Sequence, residues 1–204
     1  MSIILIRHGE TLLNAARVFQ PFATELGPRG LEQARLMAQR IADYSPVAIL
    51  ASDMPRAHKT AQYISEATGL TLNTSTLLHE RNFGDWRGQS HDSLGHDPAT
   101  VTEVPPNGES REVFAKRVKL AFDEAVALRA TLQGPLVVVS HGLVIQTILE
   151  NCVDLGAHTM PHRIANTSVT ILDTEPPFTV RTLNCTLHLE GSSVAEDAKS
   201  LSGG

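Results

Sequence analysis

The chain has 204 residues, 42% of them hydrophobic, and at roughly 150 residues per domain that length lies between one and two domains, with one compact domain expected. Seventeen Lys and Arg against 22 Asp and Glu leave a net charge of −5, which argues against nucleic acid as a principal ligand because phosphate neutralisation needs a basic excess. Aromatic residues make up only 4%, too few for base-stacking platforms, so the core must be mainly aliphatic.

A first strand is expected at residues 2–6, where Ile3, Ile4, Leu5 and Ile6 run straight into Arg7 without the basic start or small-residue cleavage site of a secretion signal. Gly27 and Pro28 then open a helix with Leu31, Ala34, Ala38 and Ile41 on one face. A second strand at 47–51 leads to Asp53, read as an N-cap. The helix behind it tolerates Pro55 in its first turn, carries Ala57, Ala61 and Ile64 on one side, and stops at Gly69. A weaker third strand is expected at 74–78. After the Pro105-Pro106-Asn107-Gly108 turn, a helix over 110–132 presents Phe114, Val118, Phe122 and Ala125 as its apolar stripe.

A fourth strand at 136–140 precedes a further helix after His141. This apolar stretch is broken by Ser140, His141 and Gln146 and falls short of the ~20 residues that span a bilayer. Residues 167–173 and 179–184 read as a terminal hairpin, and 191–204, rich in Ser, Gly, Ala and charge, as a loose tail. The alternation predicts an α/β fold of three layers, a mostly parallel central sheet of five to six strands with helices on both faces, in a single domain over 1–190. Cys152 and Cys185 lack any metal-ligand spacing and are expected as buried thiols in a soluble cytoplasmic protein.

Open α/β sheets place ligand sites at strand carboxyl ends, and four such ends carry reactive residues. Arg7-His8-Gly9-Glu10 follows the first strand. Ser52-Asp53-Met54-Pro55-Arg56 follows the second and puts Arg56 in a first helical turn, where backbone amides already favour an anion. The third is followed by Leu78-His79-Glu80-Arg81, continuing to Gly88, which sets a carboxylate among bulky residues able to raise its pKa. Ser140-His141-Gly142 follows the fourth. Two histidines, two arginines and one glutamate supply a nucleophile, an oxyanion clamp and a general acid.

These four blocks, covering most of residues 3–150, resemble the histidine phosphatase superfamily in its phosphoglycerate mutase-like branch. That family has R-H-G-x-x-x-x-N, S-x-x-x-R-A-x-x-T-A, a glutamate loop and a late S-H-G in the order found here; Ile164, Asn166 and Ser168 add a further match. The resemblance implies that His8 is a nucleophile forming a phosphohistidine. Arg7, Arg56 and His141 would hold the phosphoryl oxygens, and Glu80 would act as acid and then base. Asn14, Gln20, Arg81 and Gly142 are the candidate phosphate- or substrate-binding residues. The implied activity is metal-independent hydrolysis of small phosphorylated metabolites, with a small-molecule phosphomonoester as partner, no cofactor, no metal, and neither nucleic acid nor membrane.

The chain departs from the family at Pro21, Ala23 and Glu25-Leu26-Gly27, which alters the substrate side. Arg87 replaces a common glutamate, and with Arg81 it can attract a second anion or stand as a solvated arginine. A mutase-type phosphotransferase and a non-catalytic phospho-ligand binder are the alternatives. Residues 89–110 contain no Lys or Arg, unlike the basic insertion of mutases, whereas Glu80-Arg81 is mutase-like. A metal hydrolase through His91-Asp92 and His96-Asp97 is disfavoured, because a spacing of five gives no common helical face. His58, His79, His158, His162 and His188 are assigned no chemistry. Trp86 reads equally as a wall against Glu80 or as a core anchor.

Overall fold

Ile3–Arg7 forms β1 and Leu136–Ser140 forms β4 parallel to it, and both strands are buried along their whole length. Their unbroken apolar runs are what a parallel strand covered on two faces requires. In the computed structural model, which describes residues 1–195, the remaining elements follow in order. They are α1 (Leu12–Ala15), α2 (Pro28–Asp43), β2 (Ala48–Ala51), α3 (Pro55–Thr68), β3 (Leu72–Thr74), α4 (His91–Leu94), α5 (Arg111–Ala130), α6 (Gly142–Asn151), β5 (Val169–Leu172) and β6 (Val180–Cys185). Short 3₁₀ turns occur at Thr76–Leu78, Gly84–Trp86 and Leu187–Leu189.

The six strands form one mixed sheet in the order β3-β2-β4-β1-β5-β6. The first four in that order are mutually parallel, while β5 and β6 are antiparallel to their neighbours, giving the expected terminal hairpin. Successive side chains of β1 alternate between faces. Ile4 and Ile6 pack with Met37, Ala38 and Ile41 of α2 and with Ala57, Ala61 and Ile64 of α3. Ile3 and Leu5 pack with Phe114, Val118 and Phe122 of α5 and Val144, Ile145 and Ile148 of α6. Each of the larger of these side chains contributes about 1.5–3 kcal/mol on burial, and the alanines less. The three-layer architecture is therefore as the sequence predicts.

Register brings the chemistry to one edge. Arg7 pairs with Ser140 and Ala51 with Val139, so the residues just beyond, His8, His141 and Ser52, emerge side by side. The loop after β1 is pinned against α2 by a close backbone approach. A Cβ on Gly30 would lie 2.0 Å from the Glu10 carbonyl oxygen, and one on Gly9 would lie 2.4 Å from that of Gly30.

Several local expectations are corrected. The third strand is Leu72–Thr74, not 74–78: Ser75 donates its amide to Ala51, and the chain then curls through a 3₁₀ turn that buries Leu78. Asp53 is not the N-cap of α3. Met54 holds that position, its carbonyl accepting from Ala57 and His58, and the Asp53 carboxylate is drawn away to His79. Both thiols are free but only half-buried, and Cys185 Sγ accepts from Arg40 at 3.3 Å. Residues 191–195, assigned to the loose tail, lie on α2. Val194 is buried, its carbonyl accepts from Gln33 at 3.3 Å, and that of Ala195 accepts from Arg29 at 3.1 Å. The remainder of that stretch, 196–204, lies outside the described residues.

Candidate active site

His8 leaves β1 with its amide donating to the Ser140 carbonyl at 3.0 Å and its own carbonyl accepting from the Asn166 side chain at 2.9 Å. Its ring is buried. Nδ1 lies 2.7 Å from the Gly9 carbonyl, which can only accept, so the proton sits on Nδ1 and the lone pair on Nε2. Burial, with the Arg56 and Arg7 guanidinium groups, holds the pKa of His8 well below the usual histidine value. The ring is neutral near pH 7.

His141 is the N-cap of α6 and meets His8 edge to face, with ring centroids 5.1 Å apart. Its Nε2 lies 2.9 Å from Ser52 Oγ. That hydroxyl already accepts from the Met54 amide at 3.3 Å, and its own proton has no other acceptor among the described residues, so it is donated to Nε2. The imidazole proton of His141 then falls on Nδ1, a buried donor with no partner among the described residues. Burial first, then Arg56, His8, His79 and Arg7, hold this histidine neutral as well. Ser52, which orients His141, is a residue that the sequence reading named only as part of a block.

Arg7 is 1% exposed and donates to the Ile164 carbonyl, while Gly142, in the first turn of α6, packs against its guanidinium. Arg56, the second residue of α3, is equally buried. Its contacts to the Pro21 and Phe22 carbonyls span 3.4 and 3.5 Å, the weak end of hydrogen bonding. Burial and the neighbouring Arg7 and Arg87 bring its pKa to about 10, against the opposing pull of Glu80, so it remains charged near neutrality.

Glu80 faces these cations from the third strand end. Oε1 accepts from the Arg81 amide at 2.9 Å and Oε2 from the Leu143 amide at 3.1 Å. Burial raises its pKa despite those two amides and the attraction of Arg56 and Arg7. Two buried guanidinium groups beside a carboxyl whose charged form burial disfavours make a site suited to an anion.

The Glu80 loop is clamped from α5 by a pair that sequence reading missed. Arg117 donates to the carbonyls of Leu77 at 2.8 Å, His79 at 2.7 Å and Glu80 at 3.3 Å. Glu109 receives Arg117 at 2.7 and 2.9 Å and the Asn82 amide at 2.8 Å. No linear spacing announces this clamp, because its parts come from two segments joined only by the packing of α5.

Gln20, Arg56, Glu80 and Arg81 line a cavity of about 10 Å³. That is the space of about one water, and its lining includes none of Arg7, His8 and His141. Arg81 lines this cavity while its guanidinium nitrogens donate to the carbonyls of Glu109, Val101 and Glu103 and organise the loop. Asn14 does not line the cavity. It closes the Thr11 capping box, and Thr11 in turn donates to Gln20 at 2.7 Å. Trp86 packs on Phe19 and His96 as a core anchor, and Glu80 is walled instead by Met54, Phe19 and Phe83. His91 is buried against Phe19, while Asp92, His96 and Asp97 are engaged with Arg17, Glu103 and Arg163.

Comparison with known proteins gives concordant results. The profile of the histidine phosphatase superfamily (branch 1) matches residues 3–186. A Yersinia pestis (strain Pestoides F) protein named "probable phosphoglycerate mutase GpmB" is 34% identical over 184 residues, 85% of each chain. The alpha-ribazole phosphatase from Shigella flexneri superposes with a TM-score of 0.78 at 29% identity, covering 91% of this chain and 97% of that one. A mycobacterial glucosyl-3-phosphoglycerate phosphatase, solved in complex with VO3, superposes with a TM-score of 0.72 at 30% identity, covering 84% of this chain and 90% of that one.

Proposed function

The chain belongs to the histidine phosphatase superfamily, and from that premise we propose that it is a metal-independent phosphomonoester hydrolase acting on small phosphorylated metabolites through a phosphohistidine at His8. The observation that carries this reading is the His8 tautomer: Nδ1 is committed to the Gly9 carbonyl, which frees Nε2 among buried cations. The two phosphatases among the structural relatives support it.

In the first half-reaction Nε2 of His8 forms a bond to phosphorus as the ester oxygen leaves and takes the Glu80 proton. In the second, water attacks phosphorus, Glu80 receives a proton from that water, and the N–P bond breaks to return the lone pair to Nε2. Arg7, Arg56 and the Nδ1–H of His141 hold the phosphoryl oxygens, each such donor contributing about 2.7–4 kcal/mol in comparable sites. Release of phosphate from an aryl phosphate, unaffected by chelator and abolished in His8→Ala, tests the proposal; chelator sensitivity or turnover by the variant contradicts it.

A mutase-type phosphotransferase is the second reading, favoured by the name of the Yersinia relative. Against it stand the absence of Lys and Arg from 89–110 and the commitment of Arg81 to backbone carbonyls. Interconversion of phosphoglycerates without phosphate release would establish it.

A further inference from the structure

Met54, Glu80 and Arg87 line the narrow cavity at Arg56 and also a larger one of about 430 Å³, bordered by Phe22, His79, Asn82 and Arg117. That volume is in the range of small-molecule sites. An alcohol leaving past Glu80 therefore emerges into this outer cavity.

The charges around it are unevenly used. Arg117 and Glu109 neutralise each other, and both Glu109 oxygens are occupied, one by Arg117 and the other by Arg117 and the Asn82 amide. His79 is engaged with Asp53. The side chain of Arg87, half-buried, makes no hydrogen bond or ion pair among the described residues and is attracted only at a distance by Glu109. Glu80 shares the wall, but both of its oxygens already accept backbone amides and burial disfavours its charged form. Among the described residues the outer cavity thus presents one guanidinium that no carboxylate contacts, and its planar fork matches a carboxylate or a phosphate.

We propose that Arg87 determines specificity for the alcohol side of the substrate, selecting phosphomonoesters whose alcohol carries a second anionic group. This rests on the hydrolase reading and adds the class of leaving group to it.

The test compares kcat/KM, measured as phosphate release, for a three-carbon series: hydroxypropyl phosphate, phosphooxypropionate and propanediol bisphosphate. The wild-type enzyme should favour at least one anionic member over the neutral one by about tenfold, the ratio expected of one hydrogen bond to a charged group. Which of the two is favoured distinguishes carboxylate from phosphate. The ratio should collapse toward one in Arg87→Gln, fall below one in Arg87→Glu, and be retained in part in Arg87→Lys. Hydrolysis of all three at similar rates by the wild type, or a ratio that survives Arg87→Gln, overturns the inference while leaving the hydrolase intact. No hydrolysis of these or of an aryl phosphate overturns both.

Discussion

The carboxyl group of Glu80 is tied to Leu143, whose amide donates to Oε2 at 3.1 Å from the first turn of the helix that His141 caps. Glu80 and His141 are thereby fixed to the same helix end. With Oε1 receiving the Arg81 amide, both oxygens already face donors. Glu80→Gln removes the transferable proton and also sets an NH₂ group against one of those amides. Hydrolysis of alkyl phosphates should fall by about 10²- to 10⁴-fold, and that of activated aryl phosphates by much less. A plot of kcat/KM against leaving-group pKa should steepen in the variant; parallel lines would count against Glu80 as the acid.

Arg117 acts on the same carboxyl group at one remove, through three carbonyls of its loop. Arg117→Ala should lower kcat for alkyl phosphates by about tenfold to a hundredfold, as small misplacements of catalytic groups do. Its leaving-group dependence should steepen in the same direction as that of Glu80→Gln, and Arg117→Lys should recover part of the loss. Uniform loss across leaving groups would mark Arg117 as a contributor to stability alone.

The pH dependence follows from opposite shifts at His8 and Glu80. His8 is held below the ordinary histidine range and Glu80 above the ordinary carboxylate value of 4.5. The acid limb of kcat/KM should therefore lie well below pH 6.5, and a basic limb should report deprotonation of Glu80. Glu80→Gln should abolish the basic limb and leave the acid limb in place.

Stability carries its own signature. His8 and His141 are held low, and His91 and His188 fall to about 4, all led by burial. Between about pH 6.5 and 4 the unfolded chain binds protons at these sites that the folded chain refuses, so stability should drop as pH falls through that window. Glu80 acts in the opposite sense above 4.5, one group against four. The urea midpoint should be lower near pH 5 than near pH 7, and a higher one at pH 5 would contradict the burial of these rings.

Gly30→Ala probes the backbone contact that seats the loop after β1. Its Cβ would meet the Glu10 carbonyl oxygen at 2.0 Å, which only a shift of α2 or of the loop relieves. A loss of 1–3 kcal/mol or more, typical of overpacking at about this severity, should appear in chemical denaturation together with reduced turnover. Gly69→Ala, at φ 72° with open space around it, should cost about 1–2 kcal/mol and leave turnover intact.

The strand ends were legible because parallel strands buried on two faces write unbroken apolar runs, and the polar residues that follow Ile6, Ala51 and Val139 mark where each run leaves the sheet. β3 was misplaced because Asn73 and Thr74 are exposed on an edge and bear no burial signal. Asp53 has the side chain of a cap, yet His79 competes for it, a contact between segments that local pattern cannot register. The tautomers of His8 and His141 depend on the Gly9 carbonyl and Ser52 hydroxyl, and the Arg117–Glu109 clamp depends on the rotation of α5. Those relations exist only once the chain is folded. The bracing of the loop by Arg81, through three backbone carbonyls, is likewise a relation that no local pattern registers.

The most direct measurement is rapid quench of the wild-type enzyme with a labelled phosphomonoester, followed by mapping of the label after proteolysis under alkaline conditions. The label should be found on His8 as an acid-labile phosphoramidate that forms and decays fast enough to account for turnover, and Glu80→Gln should accumulate it with an aryl substrate. Turnover with no label on His8, or label on another residue that persists in His8→Ala, would contradict the account.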